Sequence, residues 1–200
     1  MSKKLTSIIK KFKKYAEITE IGGIARRYFI INAFDGALTT LGIIFGFFLA
    51  HLNDFHVIVI TVLAGALAMG ISGVWGAYLA ERAERLRKIK ELERTLKTDL
   101  SQSEIVRASK FATIFLAIID GISPVLASII GISPFLFFLE SSSEIFNMLF
   151  YSSIGINLSM LFLLGIFLGK ISQENIFKMG FEVVLMGIVV VLILLLINLI

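Results

Sequence analysis

Two aspartates within long apolar stretches are the residues of this sequence best placed to do chemistry. Asp35 and Asp120 are each followed directly by glycine, and the segments around both are almost free of other charges. A carboxylate inside a membrane span is costly and usually faces a cavity or the interior of the bundle. Carboxylate oxygen suits hard divalent cations, and protonation of the same oxygen weakens metal binding. The two aspartates therefore indicate a cation site that is linked to protons.

The surroundings of Asp35 are rich in oxygen and in small residues. On a helix, one face would carry these five residues: Asn32, Asp35, Thr39, Gly42 and Gly46. Gly42 and Gly46 form a GxxxG pair, which allows two helices to pack closely. The stripe is either a tight helix interface alone or an interface that also carries a metal site formed by Asn32 and Asp35.

The second apolar stretch has two stripes of small residues, which predict two close helix contacts. One stripe contains Gly65, Met69, Ser72, Gly76 and Ala80. The other contains Gly70, Gly73, Ala77, Glu81 and Glu84. Glu81 and Glu84 would lie at the cytoplasmic mouth, where they could admit a cation. Met69 offers a soft thioether ligand, although a methionine in a span also serves plain packing.

Asp120 has a proline one turn after it, in the pair Ser123-Pro124. The ring of Pro124 removes the helical hydrogen bond of a carbonyl near residue 120, which then becomes available to a cation. Asp35 and Asp120 each lie about 10–13 Å into their spans, at matching depth on helices that run in the same direction. This predicts a paired site from a parallel repeat; alternatively, one aspartate is functional and the other closes a buried hydrogen bond.

The composition predicts which elements position these residues. The chain of 200 residues is 57% hydrophobic and only 17% charged, with a mean hydropathy of +0.91. Five segments reach the roughly 20 apolar residues that cross a bilayer. They are 28–50, 55–80, 111–131 with an apolar continuation to 139, 145–168 and 179–200. The predicted fold is an all-α integral membrane protein, a bundle of five transmembrane helices.

The distribution of Lys and Arg predicts the orientation of the bundle. Of 19 basic residues, eight precede the first span, nine lie in 81–110 and two lie between the last two spans. The other two connections carry none, so the N-terminus is predicted to be cytoplasmic and the C-terminus outside. The net charge of +4 fits cytoplasmic loops that face anionic lipid, and no nucleic-acid partner is expected. The absence of cysteine excludes thiolate chemistry, and His51 and His56 alone do not suggest a zinc site.

We predict a single membrane domain over 1–200 with four parts. Residues 1–26 form an amphipathic interfacial helix, for which a disordered basic tail is the alternative. Residues 27–80 form spans one and two, 81–110 form a charged helical extension of span two into the cytoplasm, and 111–200 form spans three to five. The sequence SQSE at 101–104 is predicted to cap the helix of span three as a capping box.

Two segments resemble the vacuolar iron transporter family, which includes the nodulin-like proteins. ARRYFIINAFDGALTTLGIIFG at 25–46 is similar to that family's first span, and AMGISGVWGAYLAERAERL at 68–86 is similar to its second. The resemblance implies a homodimer that exports Fe²⁺ and often Mn²⁺ from the cytoplasm in exchange for protons, with Asp35 as a metal carboxylate.

Two features depart from the family pattern. A glutamate that the family carries in span two is Ala77 here, and the methionine one turn later is Glu81. The cytoplasmic metal-binding insert is largely missing, so that Glu84, Glu91 and Glu93 are at most its remnant. Glu81 could replace the missing carboxylate and favour Mn²⁺ or another hard divalent ion.

The sequence therefore predicts a proton-coupled Fe²⁺/Mn²⁺ antiporter in a multi-pass membrane protein, in the cell membrane if the source is prokaryotic. Its predicted metal site contains Asp35, Asn32, Glu81, Glu84, Asp120 and Met69. No enzymatic activity and no cofactor are expected, because the metal is the transported substrate. The alternatives are a membrane scaffold and an intramembrane diaspartyl hydrolase, although the glycine of such hydrolases two residues before the aspartate is Ala33 or Ile118 here.

Overall fold

The computed structural model describes residues 2–137 and 143–199, and within these ranges the chain is entirely α-helical. Six helices follow one another along the chain. They are α1 (Ser2–Thr19), α2 (Ile21–Leu49), α3 (Phe55–Leu96), α4 (Glu104–Phe137), α5 (Ser143–Ser172) and α6 (Ile176–Asn198). The helices α2 to α6 are each long and apolar enough to cross a membrane. The five predicted spans are thus confirmed, and the protein is an integral multi-pass membrane protein.

Helix α3 confirms that span two continues without a break into the charged extension. It has 42 residues, about 63 Å at the usual rise, which is roughly twice the thickness of the hydrocarbon core. Exposed pairs at i,i+4, such as Arg87 with Glu91, stabilise the part beyond the membrane. The second stripe of small residues therefore continues on the same helix to the carboxylates Glu81 and Glu84 in its charged part.

Two predicted boundaries are wrong in detail. Helix α2 begins at Ile21, because a break at Glu20 (φ 48°) separates it from α1, so the first helix does not reach residue 26. The cap of α4 is Ser103, whose hydroxyl accepts from the backbone N–H of Val106 at 3.3 Å, so SQSE is not a capping box that begins at Ser101. Ser101 instead donates its N–H and hydroxyl to Asp99, which lowers the pKa of that carboxyl.

The amphipathic helix α1 is confirmed as a helix, and its aromatic side chains pack on the start of α4. The ring of Phe12 lies 5.5 Å from Phe111 and 5.3 Å from Phe115, both edge to face. Lys14, on the polar side, pairs with Glu104. The apolar face of α1 is therefore covered in part by protein, while Lys10, Lys13 and Lys14 are exposed.

The chain packs as two compact units, Met1–Phe29 with Ile71–Ile122 and Ile30–Gly70 with Ser123–Ile200. In the first, Ile21, Ala112 and Leu116 form the buried core. The second has a larger aromatic core that includes Phe135, Phe146 and Phe150. Aromatic rings bury large apolar areas, so this cluster holds the ends of α2, α3, α4 and α5 that lie away from the charged extension.

Glycines permit a close helix crossing within the second unit, between α5 and α6. A Cβ on Gly165 would lie 2.6 Å from the carbonyl oxygen of Met179 and 2.7 Å from the Cα of Gly180. Two backbones approach this closely only where no side chain intervenes, as in small-residue interfaces of membrane helices. Most of the other side chains of α6 are apolar and exposed, which suits a helix surrounded by lipid.

Candidate metal-binding site

Asp35 lies in α2 with its side chain exposed on the surface of the chain, although the helix around it is apolar. Asn32 precedes it by one turn, so the carboxamide and the carboxylate project from the same face. An ionised carboxylate on the outside of a span cannot remain in contact with hydrocarbon, because its desolvation is too costly. The position therefore requires water, a cation or a second protein surface against Asp35.

Helix α3 contributes a sulfur ligand beside the same stripe. The Thr39 hydroxyl, one turn after Asp35, donates to the Sδ of Met69 at 3.6 Å. Met69 is therefore held against the polar face of α2 rather than among apolar side chains only. Asn32, Asp35, Thr39 and Met69 belong to one unit, and together they offer three kinds of oxygen and one thioether.

Gly36 fixes the part of α2 that carries Asp35. A Cβ at this glycine would meet the backbone oxygen of Pro124, and it would lie 2.8 Å from the Cα of Pro124 and 3.0 Å from the Cβ of Ala127. The Ser128 hydroxyl donates to the carbonyl of Gly36 at 3.3 Å. The glycine after Asp35 thus lies where α2 crosses α4. This close contact, and not a turn, accounts for the glycine in the Asp-Gly pair.

Asp120 lies on α4 opposite another glycine, Gly73 of α3. A Cβ on Gly73 would be 2.8 Å from the Oδ2 of Asp120 and 3.2 Å from the Cα of Gly121. The carboxylate of Asp120 therefore lies across a crossing that only glycine permits. In both Asp-Gly pairs the glycine lies at a close backbone contact, Gly36 against Pro124 and Gly121 against Gly73.

The carboxylate of Glu81 is buried where the charged part of α3 begins, and each of its oxygens accepts a hydrogen bond. The Tyr28 hydroxyl donates to its Oε1 at 2.9 Å, and the Nε of Arg85 donates to its Oε2 at 3.0 Å. The side chains of Glu81 and Arg85 are only 11% and 12% exposed. Glu84, by contrast, is exposed and pairs with Lys88 at 3.5 Å. A cation that binds Glu81 must therefore displace Arg85.

Replacing Arg85 by glutamine should destabilise the protein by about 2 kcal/mol, because the carboxylate of Glu81 stays buried and keeps only Tyr28 as its described partner. Removing both charges in Glu81→Gln/Arg85→Gln should recover most of that loss. The free energy of unfolding of the unmodified protein and of these two variants in mixed micelles measures the loss and its recovery. Equal losses in Arg85→Gln and in the double variant would contradict a buried ion pair.

The predicted ligands are divided between the two units of the chain. Among the described residues, no three His, Asp or Glu side chains lie close enough together to hold a metal ion. Asn32, Asp35 and Met69 lie in one unit, and Glu81, Glu84 and Asp120 lie in the other. The candidate site is therefore an open set of donors around Asp35, and a metal there would keep water or take ligands from outside the chain.

Two polar partners were not predicted from the sequence, and the predicted GxxxG pair makes no close contact among the described residues. Tyr28 and Arg85 were not proposed, although Arg85 follows Glu81 at the i,i+4 spacing of an ion pair. The GxxxG pair does not make the close contact within the chain: a Cβ on Gly42 would meet only Val190 at 3.7 Å, and Gly46 faces open space. That glycine face is therefore available to a second surface.

Comparisons with known proteins identify the family of the chain. The sequence model of the VIT family matches residues 26–115, from the start of α2 to the first turns of α4. An uncharacterized protein of Methanocaldococcus jannaschii is 35% identical over 166 residues, which cover 82% of this chain and 83% of the relative. The chain therefore belongs to the VIT family, the vacuolar iron transporter family of membrane metal ion transporters.

Proposed function

We propose that this protein is a homodimeric antiporter that moves Fe²⁺ or Mn²⁺ out of the cytoplasm in exchange for protons. The observation that carries the proposal is the exposed carboxylate of Asp35 in the apolar helix α2. A charge in this place destabilises a membrane protein, so its presence requires a role for the charge itself. Family membership supports metal ions as the substrate.

The donor set supports transition metals over Mg²⁺ and Ca²⁺. Asp35, Asn32 and Thr39 would offer carboxylate, amide and hydroxyl oxygen, and Met69 would add the thioether of α3. Mg²⁺ and Ca²⁺ take oxygen ligands, whereas a thioether adds affinity only for softer ions. A single charged ligand with neutral donors also binds weakly enough to release the ion, as transport requires.

Proton coupling follows from the use of one carboxylate for two cations. A protonated Asp35 has lost the charge that holds the metal, so arrival of a proton from outside releases the ion there. Return of the proton to the cytoplasmic side restores the carboxylate. Glu81 is a gate in this scheme, because Arg85 occupies it until an entering metal ion displaces the guanidinium.

The homodimer is supported by the surface that the single chain leaves open beside the site. Asp35 is exposed, and Gly46, on the same face of α2, has no neighbour within 4 Å of an added Cβ. A second copy that packs on this stripe would remove the carboxylate from lipid and could add its own ligands. Small residues at that face permit close helix approach.

Proteoliposomes that contain the purified chain test the function directly. With Fe²⁺ or Mn²⁺ outside and a pH-sensitive dye trapped inside, metal entry should be accompanied by proton flux in the opposite direction, and Mg²⁺ should produce neither. Metal entry without proton flux would reject antiport but retain metal transport. No flux of any ion under either gradient would reject transport and favour a membrane scaffold.

A further inference from the structure

A cavity of about 360 Å³ lies in the first unit, where the charged part of α3 faces the start of α4. None of the residues proposed as metal ligands lines it, although Arg85, which does, is bonded to Glu81. Its lining residues are Tyr78, Arg82, Arg85, Leu86, Ile89, Val106, Ser109, Lys110, Thr113 and Ile114. The lining thus combines three cations and three hydroxyl-bearing side chains with an apolar wall.

Two of the three cations are free to bind a ligand. Arg82 and Lys110 are exposed, and neither forms a salt bridge with any residue that the structure describes. Arg85 is held by Glu81, and the Thr113 hydroxyl is committed to the carbonyl of Ser109 at 3.0 Å. The lining contains no Asp or Glu. The only cation of the lining with a described carboxylate partner is therefore Arg85, and the cavity favours an anion at Arg82 and Lys110.

The other half of the lining is apolar and partly open. Leu86 is 45% exposed and Ile114 is 54% exposed, while Ile89 is buried behind them. A small inorganic anion would leave these side chains uncovered. A ligand that carries both an anionic group and hydrocarbon would cover the cations and the apolar wall together, which lowers the exposed apolar area.

The position of the cavity along the helices matches the depth of lipid headgroups. Its lining begins at Tyr78, at the end of the apolar part of α3, and continues to Ile89 in the charged extension. On α4 it passes from Lys110 into the apolar segment at Ile114. The charge distribution assigns this end of both helices to the cytoplasm, where the leaflet carries anionic lipid.

We propose that this cavity binds one anionic phospholipid of the cytoplasmic leaflet. Its phosphate lies between Arg82 and Lys110, and an acyl chain covers Leu86 and Ile114. Charge-assisted hydrogen bonds to the phosphate contribute most of the binding free energy. The guanidinium of Arg82 can donate two parallel hydrogen bonds to the phosphate oxygens, and the ammonium of Lys110 attracts them as a compact charge. The site does not depend on metal transport, so it stands whether or not the proposed function holds.

Native mass spectrometry of the full-length protein in a neutral detergent tests the site, because the micelle has no charged surface of its own. The protein is titrated with phosphatidylglycerol and with phosphatidylcholine of the same chain length. The first phosphatidylglycerol should bind more tightly than phosphatidylcholine. In Arg82→Gln/Lys110→Gln its Kd should rise about thirtyfold, since each basic residue near an anionic lipid contributes about fivefold.

A matched control removes one arginine charge and one lysine charge at exposed positions that do not line the cavity. Arg94→Gln/Lys170→Gln should leave the Kd for phosphatidylglycerol within about twofold of the unmodified protein, because its cavity is intact. Val106→Phe keeps every charge and fills part of the cavity, and it should also weaken binding of the lipid. That variant keeps the test decisive even if the double substitution fails to fold.

Four outcomes would overturn the proposal. Equal affinity for the two lipids would remove the anionic preference, and an equal loss in the control variant would make the effect one of net charge. Displacement of the bound lipid by millimolar inorganic phosphate would assign the cavity to a free anion. An unchanged Kd in Val106→Phe would place the lipid elsewhere on the protein.

Discussion

Replacing Asp35 by asparagine is expected to lower metal transport by at least about a hundredfold while leaving the fold intact. Removing a side chain that only hydrogen-bonds to a metal ligand already lowers metal affinity about 10–100-fold. Removing the single charged ligand itself should therefore lower it at least as much. Asparagine has nearly the same size and keeps one oxygen. The change therefore removes the charge and the proton-binding function but not the side-chain volume.

The stability of Asp35→Asn should be unchanged or higher, since the carboxylate in an apolar helix is a cost to the folded protein. Transport in proteoliposomes and unfolding in mixed micelles measure the two effects on the same preparation. Gain of stability with loss of activity is the combination typical of a residue retained for function. Loss of both would instead indicate that Asp35 supports the fold.

Asp54→Asn is the matched control for this experiment. Asp54 caps α3 by accepting from the N–H of Val57 at 3.1 Å, and asparagine caps helices equally well. The chemical change is the same, but the residue lies in the exposed connection between α2 and α3. Transport should be unaffected, and retained transport in Asp35→Asn would exclude Asp35 as the essential ligand.

The spans were predictable from sequence because a single rule governs them. Lipid cannot hydrogen-bond the backbone, so an apolar run of sufficient length must be a helix, and α2 to α6 follow this rule. The end of α1 was less predictable. The break at Glu20 depends on one residue with φ 48°, and neither glycine nor asparagine occupies that position. Such a break leaves no signal in the apolar pattern.

The site could be predicted only in part because its partners come from distant segments. The charge of Asp35 and the thioether of Met69 were recognisable by type, but the bond from Thr39 to Met69 depends on how α2 and α3 pack. Glu81 was taken as a free ligand, since the sequence does not place Tyr28 beside it, 53 residues away. Helical spacing gives the neighbours on one helix and leaves the facing helix undetermined.

The glycines illustrate the same limit. Gly42 and Gly46 form the recognisable GxxxG pair, yet the tight contact of α2 within the chain is at Gly36. A spacing pattern reports which residues share a face, but which face meets a neighbour depends on the whole bundle. The two glycine positions therefore predict opposite effects of the same substitution.

Gly36→Ala is expected to destabilise the protein by about 3 kcal/mol, the upper part of the range for overpacked sites. The new methyl group would meet the backbone of Pro124, which cannot rotate away as a side chain can, and the Cβ of Ala127 at 3.0 Å. Separation of α2 from α4 would also break the bond from Ser128 to the Gly36 carbonyl. Transport should fall as well, since Asp35 is the preceding residue.

Gly46→Ala provides the comparison on the same helix with the same chemical change. No atom lies within 4 Å of the added Cβ, so the monomer should gain up to about 1 kcal/mol from the better helix propensity of alanine. The free energy of unfolding in mixed micelles should therefore change in opposite directions in the two variants.

If Gly46→Ala also lost stability, and did so only at protein concentrations that favour association, the open face of α2 would be an interface between two copies. If Gly36→Ala were neutral, the crossing of α2 and α4 at Pro124 would be wrong, and the position assigned to Asp35 would lose its support.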